Sequence, residues 1–367
     1  MSRAMSNRER ILAVFEHRET DRIVWQPRLH HWYYVNKARG TLPRRYEGAG
    51  ILEVYDDLDA SPRGYHYFND TVQVVEGDKV QLRVKEEADR VISKYITPKG
   101  SLTQVERKTE HGVASLRVDY FLKNVADIKL LEYILKRQTF EFDENLYQER
   151  MDLLGNRTEP VITVPWGSIQ RFFIVYMGFQ RGVVALWRHR EDVERLLQAF
   201  SENDDRRFDL VRKTPFRVVN FGDNIDEGLC SPPLFQRYML PYYQLRTKEL
   251  HNVGKFCTSH WDGRIRQLLP LVQETGLDGL ECVPPKPQGN VTLEELKEGL
   301  EDMILVDGIP ATHFLDTVSD EELEAFVYRI LDLFKPRIVL GISDMLPPDG
   351  SIEKVRMVGE ILANYHV

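Results

Sequence analysis

Cysteine is scarce in this chain: 367 residues hold three, Cys230, Cys257 and Cys282, and none forms a CxxC pair. That is too few for a disulfide framework, and each is expected to be a small buried hydrophobe. Long apolar runs are missing too. No segment approaches the ~20 apolar residues of a membrane span, and the opening MSRAMSNRERILAVFEHRET is charged throughout, without the apolar core of a leader. A cytoplasmic protein with no membrane contact is expected. No cluster of lysine and arginine resembles a phosphate-binding track, and the net charge of −8 is modest, so nucleic acid is not an expected partner. No linker rich in glycine, serine or proline divides the second half.

The composition, 42% hydrophobic and 29% charged, is that of a soluble globular protein, and the length suffices for one large α/β domain. Residues 6–17 read as a capped helix, and 22–28 (RIVWQPR) as a short strand interrupted by Pro27 that delivers Gln26, Arg28, His30, His31 and Trp32 to its end. Over 69–120, apolar and polar residues alternate between Gly/Asp turns, the pattern of antiparallel hairpins and hence of a β insertion. Helices follow at 125–137 and 144–154, then a buried strand at 160–168 ending in Trp166. After further helices to residue 213, the strand 217–223 ends in Asp223 and Asn224, and a helix over 234–253 closes at Gly254. Later strands at 303–308 and 337–342 alternate with helices at 293–300, 320–334 and 351–363. Repeated β-α units of this length predict a single (β/α)8 TIM barrel over 1–367, with functional groups at the C-terminal ends of the strands.

The chain is organised around residues 255–285. Here a strand ending in His260-Trp261-Asp262-Gly263, a helix, and a strand ending in Glu281-Cys282 should lie in one parallel sheet. His260, Asp262 and Glu281 then fall within reach of one ion or one substrate. A carboxylate ending an apolar strand is costly without a partner, which favours a ligand at Glu281. Asp262 also suits the cap of the following helix. Strict alternation along the strand turns Cys282 away, toward the helices.

These residues resemble a known family, the uroporphyrinogen decarboxylase superfamily, and within it the branch of corrinoid-dependent zinc methyltransferases. The resemblance rests on RERILAVFEHRETDRIVW, the TPKGSL turn, KNVADIKLLEYIL, SPPLFQRYMLPYYQ, SHWDGRI with PLVQETGLDGLE, and the closing LGISDMLPPDG. The decarboxylases carry an Arg-Gln-Ala-Gly-Arg motif after the first strand; the matching stretch here, QPRLHHWYYVNKARG, offers only Arg28. The zinc methyltransferases take ligands from a His-x-Cys-Gly segment, a Glu at the end of the following strand and a Cys in the last strand-end loop. Here His260-Trp261-Asp262-Gly263 has Asp in place of Cys, Glu281 stands where the Glu is expected, and the last loop offers Ser343 and Asp344.

The resemblance implies a methyltransferase that moves a methyl group between a small methylated substrate, such as an aryl methyl ether undergoing O-demethylation, and a cobalamin (corrinoid) carried by a partner protein. His260, Asp262, Glu281 and Asp344 would hold zinc. His260, Glu281 and Asp223 would serve the chemistry, and Gln26, Arg28, His30, His31, Trp166, Asn224 and Trp261 would contact substrate. A ligand set without thiolate argues against a thiol as methyl acceptor and for a metal that polarises an oxygen. A decarboxylase using Arg28 and a non-catalytic member that binds a corrinoid protein are the alternatives. The sequence leaves the oligomeric state open, a homodimer included.

Overall fold

The computed structural model describes residues 4–109 and 112–365. Among them thirteen strands form three sheets. In chain order they are β1 (Val24–Trp25), β2 (Val72–Val75), β3 (Gln81–Glu86), β4 (Arg90–Thr97), β5 (Gly100–Lys108), β6 (Ser115–Asp119), β7 (Thr139–Phe142), β8 (Val161–Val164), β9 (Val218–Phe221), β10 (Phe256–His260), β11 (Gly279–Glu281), β12 (Ile304–Pro310) and β13 (Ile338–Ser343). The chain divides into two compact units, Met1–Asn69 with Asn145–Val164 and Phe216–Val367, and Asp70–Glu144 with Pro165–Pro215.

The first unit holds a curled parallel sheet in the order β1-β13-β12-β11-β10-β9-β8, the TIM-barrel-like α/β architecture expected. Its strands read as near-continuous apolar runs because both faces are covered: every residue of β9, β12 and β13 is buried. The helix Asn7–Phe15, opened by a Ser6/Glu9 capping box, places Ile11, Val14 and Phe15 against Val24, Val218, Ile304, Val306 and Val339. Each such side chain taken out of water contributes roughly 1.5–3 kcal/mol.

Seven strands, not eight, are hydrogen-bonded in this sheet among the described residues. Between β1 and β8 the chain runs as an irregular segment from Ala60 to Gly64. The Ser61 N–H donates to the Trp25 carbonyl (2.8 Å) and the Ser61 hydroxyl to the Arg157 carbonyl (2.8 Å). Pro62 has no N–H to give, so a regular ladder stops there. Gly64 passes so near the next strand that a Cβ would lie 2.4 Å from the Glu159 carbonyl oxygen. The helix expected between β10 and β11 is also missing, replaced by two 3-10 turns, Leu269–Leu271 and Gln273–Thr275. Pro270 sits inside the first and disfavours a continuous α-helix.

The second unit carries antiparallel strands. β2 pairs with β7, a strand beyond the stretch expected to be the β insertion and not foreseen from the sequence, and within that stretch β3 to β6 form a four-stranded sheet. One face of that sheet buries Tyr95, Leu102 and Gln104. The unit also holds the helices Ile128–Leu135, Phe179–Arg188 and Arg190–Val211. No helix among the described residues is long and apolar enough to cross a membrane.

Candidate functional site

The polar residues of the first unit gather where β10 to β13 end. His260 and Glu281, the last residues of β10 and β11, are register partners. Their side chains therefore leave the sheet on the same side. The Nδ1 of His260 lies 3.6 Å from Glu281 Oε1, and its Nε2 3.9 Å from Asp262 Oδ2. Glu281 also accepts from the Tyr65 hydroxyl (2.9 Å) and from the Asn220 amide, which donates in addition to Thr258 Oγ1 (2.9 Å). Burial alone would raise the Glu281 pKa; the Arg63 guanidinium, the nearby His260 imidazole and Arg28 outweigh it and hold the carboxyl well below the usual range. Burial likewise opposes charge on His260, but the nearby Cys282 sulfur and Glu281 carboxylate hold the imidazole well above its ordinary value.

Cys282 does not face the helices. β11 ends at Glu281, and Cys282 takes a left-handed backbone with φ 73°. Alternation ends with the strand, and the thiol swings into the mouth. It accepts the Asp344 backbone N–H (2.7 Å) and lies 3.6 Å from Arg28 Nη1. Ligand atoms of His260, Cys282 and Asp344 all lie within 4.8 Å of one another. Asp307 (φ 83°) and Asp344 (φ 70°) are left-handed as well. Such conformations cost about 1–3 kcal/mol each in non-glycine residues and persist where the surroundings impose them.

Beneath this cluster Arg63 is ion-paired with Asp307, and both are buried. Arg63 also donates to the Gln26 side-chain oxygen (2.9 Å), while the Gln26 amide donates to Ser61, the Pro62 carbonyl and Thr158. Gly341 makes room for the acid: a Cβ there would lie 2.2 Å from Asp307 Oδ1. Burial pushes the Asp307 carboxyl up to about 7 against the pull of Arg63. Arg28 lies 3.7 Å from Asp344 Oδ1. Side-chain exposure climbs from 0% at Asp307 through 2% at Glu281 and 12% at His260 to 45% at Asp344. The site is thus a closed polar floor under an open rim.

Of the residues singled out in the sequence, Gln26, Arg28, His260, Asp262, Glu281 and Asp344 share this cluster. Asp262 is on the rim, its pKa raised by burial against the charge of His260. His30 opens the helix His30–Arg39 and stacks on His66 at 3.9 Å, which in turn meets Tyr65 at 4.8 Å; burial lowers the His30 pKa to about 4. His31, one residue on, is half-buried. Asp223 and Trp261 are not brought to His260. Tyr243 donates to Asp223 (2.8 Å) and meets the Ser259 hydroxyl (2.9 Å), which receives the Trp261 indole N–H (3.1 Å). All four side chains are fully buried. Asn224 is half-buried beyond β9. Trp166 belongs to the second unit, where it lines a separate cavity of about 600 Å³ with Tyr95, Arg171 and Tyr176.

Sequence reasoning missed Arg63, Tyr65, Asn220, Asp307 and Cys282. Asn220 in RVVNFGD and Asp307 in MILVDG carry the same signal as Glu281, a polar group inside an apolar strand. Arg63 and Tyr65 follow Pro62 in a segment with no periodicity to read.

The donor set tests well for a divalent cation. An imidazole nitrogen, a sulfur and a carboxylate converge, and four carboxylates (Asp262, Glu281, Asp307, Asp344) share the cluster with two guanidiniums (Arg28, Arg63). Zinc takes this mixture of nitrogen, sulfur and oxygen.

The family model for uroporphyrinogen decarboxylase (URO-D) matches residues 162–365. Among solved structures, a methyltransferase from Methanosarcina mazei is 13% identical, with 98% of this chain and 100% of that chain covered and a TM-score of 0.58. A B12-independent methionine synthase from a Shewanella species, in complex with selenomethionine, is 11% identical over 85% of each chain with a TM-score of 0.40. At these identities the first likeness shows the fold. No curated protein matches the chain.

Proposed function

The chain belongs to the uroporphyrinogen decarboxylase family, and from that premise we propose that it moves a methyl group from a small methylated compound, an aryl methyl ether first among them, to the corrinoid of a partner protein. The observation that carries the reading is the convergence of His260, Cys282 and Asp344 at the mouth of the sheet. These three would hold zinc, with Glu281 and Asp262 beside His260. Zinc bound there would supply Lewis acidity at the oxygen that parts from the methyl group.

The chain's own residues supply the rest. Glu281, held by Tyr65 and Asn220, fixes the orientation of His260. Arg28, buried beside Cys282 and Asp344, places a permanent positive charge where the phenolate develops. Asp262, whose pKa burial raises, stands at the rim to return a proton to the leaving oxygen. The Arg63–Asp307 pair closes the floor against water. Cys282 also changes the expected substrate range: a sulfur ligand softens the site, so the argument against thiol acceptors loses its ground.

The test is methyl transfer from methoxylated aromatic compounds to free cob(I)alamin by the zinc-loaded protein, followed by absorbance. Turnover that falls at least 100-fold in C282A supports the reading. No transfer from any methoxylated donor by a protein shown to hold zinc defeats it.

A decarboxylase is the second reading, favoured by the two buried guanidiniums Arg28 and Arg63 beside the Asp307 carboxyl, whose pKa burial raises. It predicts that an acid substrate is turned over by H260A and not by R28A.

A further inference from the structure

The four-stranded sheet of the second unit has an outer face that is difficult to account for in an isolated molecule. On β3, β4 and β5 this face carries Arg83, Lys85, Arg90, Lys94 and Arg107, all exposed. The registers set Arg83 directly opposite Lys94, and Arg90 directly opposite Arg107. Like charges facing each other across a strand pair destabilise a sheet. Carboxylates relieve only one end: Glu87 pairs with Lys85 and Arg90, and Asp89 with Arg90. Arg83 donates only to the Gln81 side chain, and neither it nor Lys94 has a carboxylate partner among the described residues. The cations interleave with half-buried Ile92, Ile96 and Val105, and the adjoining edge strand exposes Leu116 (67%) and Val118 (51%).

We propose that this face docks an acidic protein surface with an apolar centre. The proposal is independent of the chemistry assigned to the first unit. A chain of net charge −8 keeps two like-charged cation pairs on one sheet face, of which Arg83–Lys94 has no carboxylate of its own, and an opposing carboxylate surface would relieve it. The apolar residues between them provide the buried centre of an interface, ringed by charge. Strands β3 to β5 present no aromatic ring on this face, so the stacking platform of a single-strand nucleic-acid site is missing. A sheet face also lacks the amphipathic helical stripe that lies in a lipid interface.

The test uses the full chain and a fluorescein-labelled, glutamate-rich peptide with a central Leu-Val pair, followed by anisotropy at low and physiological salt. The wild type is expected to bind the peptide with an affinity that falls as salt rises. In K94E, where the new carboxylate faces Arg83, binding should weaken at least tenfold while the melting temperature rises, since the variant removes a repulsion. L116S should weaken binding without raising the melting temperature. Equal binding by wild type and K94E, or no binding by the wild type at low salt, overturns the proposal. So does tighter, K94-dependent binding of a 20-mer single-stranded DNA or of phosphatidylserine vesicles.

Discussion

The Cys282 sulfur accepts the backbone N–H of Asp344 at 2.7 Å. That contact ties the end of β11 to the loop after β13, two strands away in the sheet, and brings two potential ligands together on backbones that are both left-handed. Asp307, on the buried floor, is left-handed too, so strained backbones line the candidate site from floor to rim.

In the proposed site Glu281 orients His260, and its two oxygens are engaged by donors from Tyr65 and Asn220. In E281Q the new amide must turn its own donor toward one of them. Loss of one charge-assisted hydrogen bond at a buried site costs about 2–3 kcal/mol, so denaturant unfolding should show a drop of that order and zinc affinity should fall tenfold or more. Unchanged zinc affinity would mean that Glu281 does not fix His260.

The Arg63–Asp307 pair predicts a different pattern. R63A leaves a carboxyl buried without its partner and should cost about 3–5 kcal/mol of stability. Adding D307N to R63A should return part of that loss, because the uncompensated acid is gone. A double variant as unstable as the sum of the single variants would show that the two residues are not coupled.

Glu159 sets a pH dependence away from the rim. Burial lifts its carboxyl to about 7 from an ordinary 4.5, even with Arg8 at 2.9 Å. A carboxyl whose folded pKa is raised contributes stability below 4.5 and loses it as the pH climbs to 7. A shift of this size corresponds to about 3 kcal/mol. The unfolding free energy of E159Q relative to wild type should therefore rise by about that much between pH 4.5 and pH 8. A difference that stays flat with pH contradicts the assignment.

Much of the fold was legible because parallel strands covered on both faces must be written as apolar runs, as in ILVDGIP and IVLGIS. His260 and Glu281 were legible for the same reason, as polar groups ending such runs. Parity explains two placements. Asn220 pairs with Thr258, two residues before His260, so all three share the inner face, while Ser259 falls on the other, where hydrogen bonds hold Asp223, through Tyr243, and the Trp261 indole beside it. Cys282 was illegible because alternation holds only while the strand lasts, and nothing in Glu-Cys-Val-Pro-Pro announces a left-handed turn. The missing eighth strand turns on Pro62, whose lost N–H has no counterpart in hydrophobic periodicity.

The most direct measurement is zinc content by elemental analysis, on protein purified without added metal and again after zinc is offered, for wild type, H260A and C282A. The account predicts about one zinc per chain in the wild type and loss of most of it in both variants, with melting temperatures showing that each is folded. Zinc retained at the wild-type level in folded C282A, or a wild type that takes up none when it is offered, would contradict the metal centre and with it the proposed route of methyl transfer.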